Sequence, residues 1–167
     1  RFDVTGFHNR IDNTIVGAGR TVINLPGESR ARGIELSVNA ELTPKLNGTL
    51  AYTYTDAEDS EGQAIPRRPR HLASLNLNYR ATDRTNLNLA VRYSGSFTDT
   101  AFDSETFATT PVTLDGYTVV NLAASYQWND RWQWYGRIEN LFDERYEDVL
   151  GYSGTERGLY LGARYRF

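Results

Sequence analysis

The sequence predicts an all-β fold: an antiparallel, up-and-down sheet of about eight strands forming the wall of a transmembrane β-barrel. Three observations lead there. Apolar and polar residues alternate with period two along most of the chain, as in strands with one apolar and one polar face. The connections alternate in length, each short turn being followed by a long polar loop. The aromatic residues, 11 Tyr, 7 Phe and 3 Trp among 167 residues, gather towards the two ends of the strands.

The first segment, about 2–15, has strand composition without clear alternation. In 34–42, Ile34, Leu36, Val38, Ala40 and Leu42 alternate with Glu35, Ser37, Asn39 and Glu41. In 46–55, Leu46, Gly48, Leu50, Tyr52 and Tyr54 alternate with small and polar residues. Segment 73–79 sets Ala73, Leu75, Leu77 and Tyr79 against Ser74, Asn76 and Asn78, and Leu87, Leu89, Val91 and Tyr93 follow with Asn88 and Arg92 between them. Then come Val120 to Trp128, Trp132 to Glu139, and Leu159 to Phe167. Pro, Asn and Asp make the short turns at Thr43 to Lys45, Arg80 to Arg84 and Asn129 to Arg131. The long loops span about 16–29, 56–70, 98–115 and 143–157. No helical pattern competes with these eight strands.

Composition narrows the function. No apolar run exceeds three residues, so no transmembrane helix is expected. The absence of Cys removes disulfides and thiolate metal sites, and a net charge of −3 offers no basic footprint for nucleic acid. Arg1 to Val4 begin no signal peptide, as expected of a cytosolic, mature or truncated chain.

Alternation alone leaves open which face meets lipid, because a soluble lipocalin-type barrel turns its apolar face inward. The aromatics favour the membrane. Tyr79, Tyr126, Trp128, Trp132, Trp134, Tyr165 and Phe167 lie towards the short-turn rim, and Tyr52, Tyr54, Tyr93 and Phe142 towards the long-loop rim, with aliphatics between. That is the pattern of two interfacial girdles. The opposite parity, with Glu35, Asn39, Arg92, Arg137, Glu139 and Arg164, is expected to line a wet lumen.

No catalytic constellation emerges, and the chain reads as a non-enzyme. His8 and His71 fall on different strands, and Ser74 near His71 is the one weak nucleophile–base pair. Loop 98–115 holds Asp99, Asp103, Glu105 and Asp115 without a basic residue; the first three are the candidate Ca²⁺ ligands, although they lack the spacing of a dedicated loop. Loop 56–70 has an acidic half (Asp56, Glu58, Asp59, Glu61) and a basic half (Arg67, Arg68, Arg70), which suits loop–loop or lipopolysaccharide contact.

The motif Asn140-Leu141-Phe142-Asp143-Glu144-Arg145-Tyr146, followed by Gly151-Tyr152, Arg157 and a strand ending in Phe167, resembles the C-terminal end of TonB-dependent outer-membrane receptors. Ala31-Arg32-Gly33-Ile34-Glu35-Leu36, Tyr52 to Ala57, and Pro69-Arg70-His71 are similar to segments upstream of it in that family. The resemblance covers the whole chain, and its closing run looks closest to the vitamin B12 (cobalamin) branch.

It implies the C-terminal portion, residues 1–167, of a 22-stranded barrel around a plug domain that this chain lacks; an eight-stranded closed barrel is the alternative. It further implies TonB-energised uptake of a large scarce ligand, cobalamin before a ferric siderophore, across the outer membrane of a Gram-negative cell. The implied partners are lipid, lipopolysaccharide, the plug, TonB through an N-terminal region outside the chain, and the barrel-assembly machinery. The lumen-parity residues would hold the plug. Tyr117 and Tyr152 are the candidate ligand contacts from the loops, and Phe167 resembles the terminal insertion signal of such barrels. A non-transporting structural or adhesin-type barrel is the rival from another class.

Overall fold

The computed structural model describes every residue of the chain except Gly19, which lies inside the expected loop 16–29. Among the described residues fourteen strands follow in order: β1 (Phe2–Asp12), β2 (Ile15–Ala18), β3 (Thr21–Asn24), β4 (Glu28–Thr43), β5 (Leu46–Glu58), β6 (His71–Thr82), β7 (Thr85–Ser94), β8 (Phe97–Phe102), β9 (Thr109–Leu114), β10 (Tyr117–Gln127), β11 (Trp132–Glu139), β12 (Glu147–Val149), β13 (Tyr152–Ser153) and β14 (Gly158–Tyr165). Eight of them form one antiparallel sheet in the order β1-β4-β5-β6-β7-β10-β11-β14. These are the eight expected strands, in an up-and-down meander. The other six are three hairpins, β2–β3, β8–β9 and β12–β13, each inside a connection expected to be only a polar loop. They escape the sequence pattern because arms of two to six residues are too short to show a period.

β1 and β14 are the two edges of the sheet and do not pair with each other, so the eight strands do not close into a barrel of their own. The structure therefore sets aside the closed eight-stranded alternative.

Register turns the alternation into two surfaces. One cross-strand row runs Phe2, Val38, Leu50, Leu75, Val91, Val120. A second runs Gly48, Leu77, Leu89, Leu122, Ile138, Leu159. On the other face a row runs Glu41, Asn47, Asn78, Asn88, Ala123, Arg137, Tyr160. There the Asn88 amide donates to Asn76 Oδ1 (3.1 Å) and Asn78 Oδ1 (2.8 Å), tying neighbouring strands by side chains as well as backbone.

The chain has almost no conventional core. Among the described residues only Phe97, Tyr117 and Val119 are buried hydrophobics, whereas Leu161 is 80% and Val4 57% exposed on the apolar rows. A soluble sheet would bury these rows; an uncovered apolar belt this wide is a surface made for another apolar phase. At the short-turn end the belt finishes in a chain of rings: Trp128 and Trp134 at 6.4 Å, Trp134 and Trp132 at 6.2 Å, Trp132 and Tyr165 at 4.9 Å, and Tyr165 and Phe167 at 5.1 Å.

β1 shows why its own alternation is obscure. Phe2 and Val4 join the apolar rows, but four and six residues beyond Val4, His8 and Arg10 lie opposite Arg32 and Arg30. The strand passes from the belt into a charged zone, where Arg32 pairs with Asp56 (2.9 Å) and Arg30 with Glu28 (2.6 Å). Phe7 breaks the parity from the other side: its ring lies over Gly33, where a Cβ would meet Phe7 Cζ at 2.6 Å.

Candidate functional site: the long-loop rim

The long loops are built outward from the strand ends, and polar side chains join three of them into one body. Asp99, in β8, is fully buried. Its Oδ1 accepts from Arg67 Nε (2.8 Å) and from the Thr100 amide (2.7 Å), and its Oδ2 from the Leu150 amide (2.8 Å). One carboxylate thus ties loops 56–70, 98–115 and 143–157 together. Asp56, at the end of β5, pairs with Arg32 of β4 and with Arg70 (3.2 Å). Asp56 and Arg67 thus reach Arg32 and Asp99 in neighbouring elements, while Asp56 with Arg70 and Asp59 with the amides of Glu61 and Gln63 hold loop 56–70 to itself.

On the wet face beneath, Arg92 lies over two rings, Tyr117 at 5.1 Å and Tyr146 at 5.4 Å, and its Nη2 is 3.5 Å from Asp148 Oδ2. Tyr117 donates its hydroxyl hydrogen to Asp148 Oδ1, and the Tyr117 and Tyr146 rings pack at 4.3 Å. Tyr146 in turn covers Gly154, where a Cβ would run into the Tyr146 ring. A cavity of about 970 Å³ opens beside this cluster, lined by Asp115, Tyr117, Asp143, Glu144, Tyr146 and Glu147 among others.

The turn after β11 carries the motif Asn140 to Asp143. Asn140 takes a left-handed φ of 48° and Asp143 one of 56°, conformations that Asn and Asp tolerate best after Gly. Asn140 is buried, donates to the carbonyls of Glu144 and Thr155 (2.9 Å each), and accepts from the Glu144 amide (2.9 Å). Asp143 Oδ1 accepts from the Arg157 amide (2.9 Å), so the two residues anchor both ends of the loop leading to β14.

The other expected residues fall as follows. Glu35 lies opposite Thr5 and Thr53 on the wet face, Asn39 accepts from Thr49 Oγ1 (2.9 Å), and Arg164 lies opposite Gln133. Arg137 pairs with Glu139 (3.1 Å) and sits over the Tyr160 ring at 4.4 Å. Of the two loop tyrosines, Tyr117 is buried in the rim cluster, whereas Tyr152 is 74% exposed at the β12–β13 tip. Ser74 and His71 lie on opposite parities of β6, and His71 Nδ1 instead shares a hydrogen bond with the Tyr52 hydroxyl (2.8 Å).

The three candidate Ca²⁺ ligands are separated in role. Asp99 is engaged as above, and Asp103 Oδ1 accepts from the amides of Glu105 (2.8 Å) and Thr106 (3.3 Å) to close its own turn. Among the described residues no three acidic or histidine side chains converge as metal ligands. Asp148, Asn140 and the Arg67–Asp99 pair carry the rim and were not singled out as such by the sequence, because each depends on partners 4 to 51 residues away.

The Leu150 amide foremost, with the Thr100 amide and Arg67, holds the Asp99 carboxyl below the usual carboxylate range. A carboxyl whose folded pKa is depressed contributes stability above its unfolded pKa, and that stability disappears as pH falls through the folded value. The tie between loops should therefore be intact at every pH above about 4 and be lost only on further acidification. Asp99→Ala should release it at neutral pH, read as faster hydrogen exchange at the Leu150 and Thr100 amides; unchanged exchange would refute the tie.

A family model described as "TonB dependent receptor-like, beta-barrel" matches residues 1–141. The chain belongs to this family. The vitamin B12 transporter BtuB of Vibrio cholerae is 31% identical over 169 residues, covering all of this chain and 27% of that protein. The vitamin B12 transporter BtuB of Photobacterium profundum is 32% identical over 175 residues, covering 99% of this chain and 27% of its own length. Among solved structures, the ferric-catecholate import receptor Fiu of E. coli K12, closed form, superposes with a TM-score of 0.78 at 28% identity, over 100% of this chain and 25% of that one. The ferripyoverdine receptor of Pseudomonas aeruginosa gives 0.84 at 20% identity, over 98% and 24%.

This TonB-dependent receptor wall thus spans about a quarter of the length of the proteins it matches. The family is one of transport receptors of the Gram-negative outer membrane, and that is where the chain resides. The apolar rows are its lipid face, and by barrel convention the short turns are periplasmic and the long loops extracellular.

Proposed function

We propose that this chain is the C-terminal wall and extracellular lip of a 22-stranded receptor that takes up cobalamin by TonB-energised transport. The supporting observation is the match to vitamin B12 transporters at 31–32% identity along essentially the whole chain, loops included. In this reading the free edges of β1 and β14 pair with the rest of the barrel, completing backbone ladders that an edge strand otherwise leaves open. The wet-face residues Glu35, Asn39, Arg92, Arg137, Glu139 and Arg164 face the plug, and Phe167 marks the strand for insertion by the assembly machinery.

The rim suits capture of a large ligand. Cross-tied loops lose little conformational freedom on binding, so less of the contact energy is consumed in ordering them. Tyr152 offers an exposed ring above the tied body. A ferric siderophore is the second reading, supported by the ferric-catecholate receptor at 28% identity. Equilibrium binding of labelled cobalamin to the whole purified receptor, with ferric siderophores as competitors, separates the two. Saturable cobalamin binding that ferric siderophores leave undisturbed is expected; siderophore binding without cobalamin affinity assigns the second reading.

A further inference from the structure

The lipid face is not a uniform ridge of leucines. Across β7, β10, β11 and β14 one row reads Leu87, Ala124, Gly136, Leu161, so two small residues sit between two large ones. The result is an apolar groove of about 560 Å³, walled by Leu77 and Leu87 on one side and by Ile138 and Leu161 on the other. It continues through Ala124, Gly136 and Leu161 into a second apolar hollow of about 520 Å³ walled by Tyr126, Trp134 and Ala163. The groove therefore starts at mid-belt, beside Leu122, and runs to the short-turn girdle.

Its lower end meets a basic rim. Residues 43–45, 80–85, 127–132 and 164–167 carry six basic side chains and two acidic ones. Arg84 is exposed in the turn immediately before Thr85, which lines the lower hollow, and Arg131 is exposed in the turn between β10 and β11. Beside Arg131, Trp132 and Tyr165 complete a polar niche of about 330 Å³.

We propose that this groove is a binding site for an anionic phospholipid of the periplasmic leaflet. An acyl chain would lie along Ala124, Gly136 and Ala163, close enough to the backbone to gain dispersion contacts that a ridged surface denies it. The headgroup phosphate would sit at the level of Arg84 and Arg131, where basic side chains beside a membrane attract anionic lipid. The groove opens towards the short turns, which commits the occupant to the periplasmic leaflet and not to lipopolysaccharide.

The test is native mass spectrometry of the whole receptor, extracted in mild detergent and incubated with equal amounts of phosphatidylglycerol and phosphatidylethanolamine. Preferential retention of phosphatidylglycerol is expected. Arg84→Gln and Arg131→Gln, exposed turn changes, should each lower that preference roughly fivefold while leaving phosphatidylethanolamine retention unchanged. Ala124→Leu with Ala163→Leu should displace both lipids, with heat-modifiable migration as the folding control. Equal retention of the two lipids by the unaltered receptor, retention of lipopolysaccharide in their place, or Gln variants that keep the full preference would overturn the proposal.

Discussion

Leu122→Arg is expected to destabilise the folded wall by about 2–4 kcal/mol, the cost of a basic side chain on the lipid face near the bilayer midplane. Leu122 sits midway along β10, between Leu89 and Ile138 in an apolar row that crosses the sheet. Its cross-strand neighbours on both sides are apolar, so the guanidinium must reach for the interface or draw water and headgroups inward. The informative control is Ala90→Arg, on the opposite face between Asn76 and Asn121. There the same side chain meets amides and water and should cost little. Urea unfolding of the receptor in lipid vesicles reads both. Equal losses at the two positions, or a larger loss at Ala90, would contradict the assignment of lipid and lumen faces.

Asn140→Ala should be the most damaging change at the rim, at about 3 kcal/mol or more. It leaves the carbonyls of Glu144 and Thr155 and the Glu144 amide without their partner in a buried place, each worth about 1–3 kcal/mol. It also places Ala in a left-handed conformation that costs about 1–2 kcal/mol. The damage should be local: loop 143–157 becomes open to protease and the proposed ligand is bound more weakly, while the cross-strand rows persist. Asn140→Gly adopts the left-handed conformation without strain but loses all three side-chain bonds, so it should cost less than Ala. Equal losses for Gly and Ala would mean that the left-handed backbone conformation contributes nothing to the effect.

The strands were readable because their signal is local and repeated. Five alternating residues in 34–42 identify the strand and its two faces whatever it pairs with. The same logic fails at β1, where the strand leaves the belt at His8 and where Phe7 covers Gly33, a contact between residues 26 apart in the chain. The loop hairpins were unreadable for a related reason, since six residues of β8 facing six of β9 contain too few periods to rise above ordinary loop composition. Asp99 shows the limit most clearly. In the sequence it is one of four unpaired acids in a loop without bases; in the fold Arg67 arrives from another loop and Leu150 from a third.

By itself, then, the sequence determined the strand count, the two faces, the alternation of turns and loops, and through the Asn140 motif and terminal strand the family. All of these are set by residues within a few positions of one another. Only the tertiary structure decided that the eight strands leave two open edges, and that three loops form one tied rim. It also showed that small residues of separate strands align into a lipid-facing groove. Those features depend on register and on side chains brought together across tens of residues, where chain order carries no periodic trace.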